Sequence, residues 1–263
     1  MADRGEVVTE RIWSDSALMK LHADALFTHD ARGRMVRINE PDGAPAPRLF
    51  LGRTAEGNVF RVRQDVPETV VSELAALCNA EPPLEPGSER PHCGVAIIEL
   101  LERYAPVQAV WRGPAFELAA LNASPVAPKH RLMNSPTNSL GGEEWKIQPL
   151  TPADVDLLSL FPDWLDELRS GLRQPWYAAV KHGQAVAICA SVRISAAAYA
   201  AGVETLPEYR GRGFARQVVN EWARAVRAGG ATPMYSTAFT NLASRAVAKA
   251  LGAHMFGVDF HVT

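Results

Sequence analysis

One stretch of the chain carries its apolar residues at helical spacing more clearly than any other. Phe214, Val218, Val219, Trp222 and Val226 share a face, while Gln217, Asn220, Glu221, Arg224 and Arg227 fill the other. This pattern predicts an amphipathic helix, ended by Gly229-Gly230. Just upstream, Tyr199 to Thr205 reads as an alanine-rich strand, closed by Pro207 because the residue before a proline avoids the helical region. Gly202 inside that strand predicts a bulge or a close backbone approach.

The same reading extends in both directions. Trp145 to Pro149 is a strand, and Thr151 followed by Pro152 starts a helix with a capping hydroxyl and a proline at its first position. Asp163 to Leu172 is a second helix. Trp176 to Lys181 and Gln184 to Arg193 form a hairpin about His182-Gly183. After the long helix come a strand over Thr232 to Phe239, a helix over Asn241 to Gly252 and closing strands over Met255 to Val262. The N-terminal half is also mixed. Helices are predicted over Asp15 to Phe27, Thr69 to Leu77 and Gly94 to Tyr104, and strands over Arg34 to Ile38, Arg48 to Leu51, Val59 to Arg63 and Val107 to Trp111. It shows no catalytic motif.

Between the halves, residues 122–144 hold Pro125, Pro128, Pro136, Gly141 and Gly142 without apolar periodicity, which is linker composition. The expected organisation is an N-terminal α+β domain over 1–122, a linker over 123–144 and a second domain over 145–263.

Composition narrows the picture. A chain of 263 residues with 47% hydrophobic content can build a sizeable core in one large or two ordinary domains. A net charge of −2 argues against a dedicated nucleic-acid binder. The three cysteines, Cys78, Cys93 and Cys189, are scattered and odd in number, as expected for a reducing cytoplasm. The N-terminal residues lack an apolar signal core, and the apolar run from Ala185 to Ala201 is interrupted by Arg193, so no membrane partner is expected. The seven histidines have no metal-ligand spacing, so no metal is expected either.

The candidate chemistry lies at the junction of the strand and the long helix, in Arg210-Gly-Arg-Gly-Phe-Ala-Arg216. Gly211 and Gly213 let the backbone turn its N–H groups toward one point. The helix start adds unpaired donors and the positive end of its dipole, and Arg210, Arg212 and Arg216 add fixed charge. A Walker loop is absent. A dinucleotide fingerprint would need a third glycine and an acid about twenty residues on, and neither is present. A basic surface loop, or a fragment of an RNA-binding Arg-Gly tract, is the alternative, but such a tract repeats and does not cap a structured helix.

Arg210-Gly-Arg-Gly-Phe-Ala215 resembles the Arg/Gln-x-x-Gly-x-Gly/Ala signature of the GNAT N-acetyltransferase superfamily. The flanking strand, long helix, next strand and Asn241-led helix ending in Leu251-Gly252 resemble the same family, over about residues 145–263. The resemblance implies an α+β fold with a mixed, mostly antiparallel central sheet flanked by helices. It implies acetyl-CoA as co-substrate, bound through Val203, Thr205, Arg210, Gly211, Arg212, Gly213, Phe214, Ala215, Asn241 and Ser244. It also allows the N-terminal half to be a degenerate copy of the fold or a substrate-shaping domain, and it allows a homodimer.

The implied reaction is attack of an amine on the thioester. A lysine-like amine has a pKa of about 10.4, so a base is useful. Glu204, next to the strand end, is the candidate base; an acceptor-binding carboxylate or a surface charge is the other reading. The family's usual tyrosine position, seven residues after the helix-leading Asn, is Ala248 here. Tyr235, Ser236, Thr237 and Ser244 are the candidates to replace that acid, with Tyr235 foremost, and core packing is the alternative role for Tyr235. Asn241 either contacts the cofactor arm or caps its helix. The acceptor is a small-molecule amine or a peptide. A non-catalytic acetyl-CoA-binding regulatory module is the competing function.

Overall fold

The computed structural model of the protein describes residues 13–118, 138–140 and 143–263. The N-terminal half opens with α1 (Asp15–Leu26), capped by Ser14, whose hydroxyl accepts the Ala17 N–H at 3.2 Å. A two-stranded ribbon of β1 (Phe27–His29) and β2 (Met35–Ile38) follows. Then come β3 (Leu49–Thr54), β4 (Gly57–Val62), α2 (Glu68–Ala80), α3 (Gly94–Glu102) and β5 (Val110–Glu117). The C-terminal half holds β6 (Asn138–Leu140) and β7 (Glu143–Leu150), then 3₁₀ turns at Pro152–Leu158 and Pro162–Trp164, the latter running into α4 (Leu165–Arg169). The hairpin β8 (Trp176–Lys181) and β9 (Gln184–Ile194) leads to β10 (Ala198–Thr205), α5 (Phe214–Ala228), β11 (Thr232–Ser236), α6 (Leu242–Ala250) and β12 (His254–Val262).

Among the described residues, ten strands form one sheet in the order β4-β3-β12-β5-β11-β10-β9-β8-β7-β6. Neighbours run antiparallel except β10 and β11, which are parallel and joined by α5 as a crossover. The architecture is thus the mixed, mostly antiparallel α+β sheet expected. The two halves interlock within it. β5 of the N-terminal half lies between β11 and β12, and β12 of the C-terminal half lies between β3 and β5. Of the expected linker, residues 138–140 and 143–144 are in β6 and β7, and the rest lies outside the described residues.

Helices cover both faces. α5 buries Phe214, Val218, Val219, Trp222 and Val226 against Ala179, Ala187 and Cys189, each large side chain contributing about 1.5–3 kcal/mol. The Trp222 Nε1–H donates to Ser191 Oγ at 3.0 Å, which satisfies a buried donor. On the opposite face Leu158, Phe161 and Leu168 pack on Trp176, Ala178, Ile188 and Ala190. Farther along that face, α1 places Leu18, Met19 and Ala23 against Phe50, Ala115 and Phe256.

Several expected elements differ in extent. The strand expected over Val107 to Trp111 runs instead from Val110 to Glu117. Its Gly113-Pro114 reads locally as a turn, yet a Cβ on Gly113 would lie 1.9 Å from the Thr237 carbonyl oxygen, so glycine there serves close strand approach. The helix expected over Asp163 to Leu172 is one 3₁₀ turn plus the short α4. The strand expected to Phe239 ends at Ser236, and the expected closing strands are the single strand β12. The irregularity sought at Gly202 lies one step earlier, between Ala200 and Ala201.

Beside the interlock, His22 of α1 and Asp259 of β12 share a hydrogen bond of 2.8 Å with both side chains fully buried. His261 adds a ring 4.8 Å from that of Trp111 and 5.1 Å from that of Phe50. Although 17% of the His261 side chain stays exposed, burial pushes its imidazole down to about 4, with His22 and Arg193 adding to the fall and Asp259 opposing it. Asp259→Ala should leave the His22 nitrogen buried without a partner and cost about 1–3 kcal/mol, read as a lower urea midpoint with unchanged slope. His261 is neutral in the folded state below the pH at which an unfolded histidine protonates, so stability should fall as pH drops from about 6.5 toward 4. His261→Phe should flatten that part of the stability–pH curve.

Candidate active site

The site begins where β10 and β11 part. They pair only through Ala198 with Thr232, Tyr199 with Pro233 and Ala200 with Met234. Beyond that, β10 stays on β9 as far as Thr205 opposite Ala187, and β11 stays on β5 as far as Ser236 opposite Ala115. A wedge therefore opens between them. The Leu206 N–H donates to Val186 O at 3.1 Å across to the β9 side. Backbone groups alternate direction along a strand, so those of Val203 and Thr205 point the other way, into the wedge. The Thr205 carbonyl bears this out by accepting Arg210 Nε–H at 3.1 Å from the open side.

At the wide end of the wedge lies the Arg210 to Arg216 turn. Gly211 and Gly213 have φ of 74° and 81°, a conformation that other residues adopt only with strain. Nothing lies within 4 Å of a Cβ built on either, so the space beside both is open. The Arg210 N–H is used by Pro207 O at 3.2 Å. Among the described residues no acceptor takes the N–H groups of Gly211, Arg212, Gly213, Phe214, Ala215 or Arg216. Six N–H donors at the positive end of a 15-residue helix are thus without a protein acceptor among the described residues. Arg212 and Arg216 are exposed, whereas Phe214 points its ring into the core, 4.9 Å from that of Trp145, and anchors the turn. Lys181 and Arg212 sit 5.3 Å and 5.4 Å from the centre of the Tyr209 ring, so Lys181 adds a basic group beside the three arginines of the turn.

The catalytic candidates fall on opposite faces of the sheet. Tyr235, only 4% exposed, lies on the α5 face with its hydroxyl 2.5 Å from Ser244 Oγ of α6. Burial raises its phenol above the ordinary range, against a smaller lowering effect of the Ser244 hydrogen bond. Two of the four residues named as acid candidates, Tyr235 and Ser244, are therefore one hydrogen-bonded pair, beside the buried Ala248. Asn241 serves as a cap: its Oδ1 accepts the Ser244 N–H at 3.0 Å.

Glu204 is exposed on the other face, opposite Ile188 in the register. Its Oε2 accepts the indole N–H of Trp164 at 2.5 Å. Sequence reasoning missed Trp164, whose position gave only a helix signal. The faint pointer to it was Gly202: a Cβ there would meet Val192 Cγ1 at 2.1 Å and the Trp164 ring at 3.0 Å. Lys181 and Tyr209 were also missed, since only the fold brings β8 to the turn.

Among the described residues no helix is long and apolar enough to cross a membrane, and no group of three or more His, Cys, Asp or Glu could hold a metal ion.

Residues 151–256 match the GNAT acetyltransferase family. None of the curated proteins compared with the chain matches it. Among solved structures, a GNAT-family protein from Novosphingobium aromaticivorans aligns at 18% identity and TM-score 0.42, over 59% of this chain and 65% of its own. The chain thus spans just under two thirds of that protein's length. A GCN5-related N-acetyltransferase-like protein from Streptococcus suis aligns at 15% identity and TM-score 0.45, over 84% and 85% of the two chains. A GNAT-family acetyltransferase from Colwellia psychrerythraea aligns at 13% identity and TM-score 0.45, over 97% and 99%. With the family match running from the strand–turn capping box at Thr151 through the open amide turn and into β12, the C-terminal half of this chain belongs to the GNAT acetyltransferase superfamily.

Proposed function

We propose that this protein transfers the acetyl group of acetyl-CoA to an amine by direct attack on the thioester. The observation that carries this reading is the run of open N–H donors from Gly211 to Arg216 beside the β10/β11 wedge. Those donors, two left-handed glycines with free space beside them and three arginines fit a pyrophosphate. Acetyl-CoA, as co-substrate, supplies the activated acyl group.

The chain's residues then divide the work. The backbone groups of Val203 and Thr205 orient the extended arm by strand-like hydrogen bonds and leave an N–H for the developing oxyanion. Glu204 receives the amine proton through its exposed carboxylate, directly or by way of water. The Tyr235 phenol, kept protonated by burial, gives a proton to the departing thiolate, and Ser244 holds that phenol in place. Residues 145–263 act as the catalytic unit in this reading. Residues 1–122 contribute β5, which fixes one wall of the wedge, and shape the acceptor side.

Calorimetry with acetyl-CoA tests the cradle. Gly213→Asp adds a carboxylate and a strained residue where the pyrophosphate would lie, so affinity should fall by about 10- to 100-fold, the loss of one or two charge-assisted hydrogen bonds. Unchanged affinity would refute the cradle. Release of free thiol, screened over primary amines, tests the chemistry. Glu204→Gln should lower kcat by about 100-fold, and Tyr235→Phe by about tenfold, each with the acetyl-CoA affinity of the parent protein. Because the Tyr235 phenol is shifted upward, an alkaline fall in kcat below pH 10 should persist unchanged in Tyr235→Phe.

A further inference from the structure

Glu204 sits on a strand edge in solvent, where a three-bond side chain samples several rotamers unless something holds it. One neighbour does so. The Trp164 indole packs edge-to-face on the buried Trp176, with ring centres 5.6 Å apart and planes at 89°. Trp164 belongs to the apolar cluster with Leu158, Phe161 and Leu168 that holds the Pro162–Trp164 turn against the sheet. From that fixed ring the Nε1–H reaches Glu204 Oε2. Glu204 Oε1 has no partner among the described residues.

The backbone explains how the ring gets there. Gly202 precedes Glu204 by two residues, so both lie on the same face of β10. A side chain at residue 202 would collide with Val192 and press on the far edge of the indole. The missing Cβ is the space that the ring uses.

We infer that Trp164 is a positioning residue for amine deprotonation: it fixes one oxygen of Glu204 and so presents the other to the acceptor, with Gly202 as the step on which the ring rests. This rests on the reading of Glu204 as the base. The group recognised is an amine whose N–H points at a single, oriented carboxylate oxygen, approaching from the sheet face opposite α5 and α6.

The first test needs no acceptor. In protein labelled with ¹⁵N-tryptophan, the Trp164 indole cross-peak is identified by its loss in Trp164→Phe. It should move upfield in its proton dimension in Glu204→Ala. An indole signal indifferent to Glu204→Ala would overturn the contact and the inference. The second test is a double-mutant cycle on thiol release from acetyl-CoA, with butylamine as the acceptor probe. Trp164→Phe, which keeps an aromatic ring but removes the donor, should lower kcat about tenfold with an unchanged KM for acetyl-CoA, and should add nothing in the Glu204→Gln background. Equal losses in both backgrounds, or none in the parent protein, would overturn the positioning role while leaving Glu204 as base. Turnover untouched by Glu204→Gln would remove the base itself and this role with it.

Discussion

Everything in the site follows from the parting of β10 and β11 after three paired residues. Backbone polar groups that face neither a strand nor water are costly, so a sheet does not open without a reason. Here each strand is held on its far side, β10 by β9 and β11 by β5. Neither can swing across to close the gap. The Val203 and Thr205 groups on its rim are left to bond something that is not part of the sheet.

The turn at the mouth of this opening extends the same logic. β10 ends in a proline-led 3₁₀ turn, and two left-handed glycines then carry the chain into α5 without folding its first N–H groups back on themselves. Phe214 buries its ring in the core and so anchors the helix start that carries those donors. On one side of the sheet stands a buried phenol with its serine, on the other an exposed carboxylate with its indole. A low-dielectric side and a wet side suit a proton donor and a proton acceptor respectively.

Much of this was legible in the residues. The amphipathic period of α5 and the Arg210 to Arg216 turn gave the helix, its start and the open donors, because each depends on local chemistry. The pairing of Tyr235 with Ser244 was half legible: both were named, but their contact needs the strand-to-helix crossing. Trp164 and Lys181 were not legible, since the groups they meet lie 40 residues away in the case of Glu204 and across a hairpin in the case of Tyr209. β5 was misplaced because Gly113-Pro114 mimics a turn, and only the passage of Thr237 behind it explains the glycine. The interlock of the halves has no local signature at all, being a choice of neighbour among strands of similar pattern.

That interlock bears on how the chain acquires its shape. β3 and β5 are not neighbours in the sheet; among the described residues it is β12 that joins them. While the ribosome is still making the chain, both carry a bare edge that waits for His254–Val262, some two hundred residues after β3 has emerged. Pairings that span so much sequence form late and slowly, and bare edges are where chains stick to one another. Closure of the sheet therefore waits for β12, far along the chain from the strand that it joins to β5.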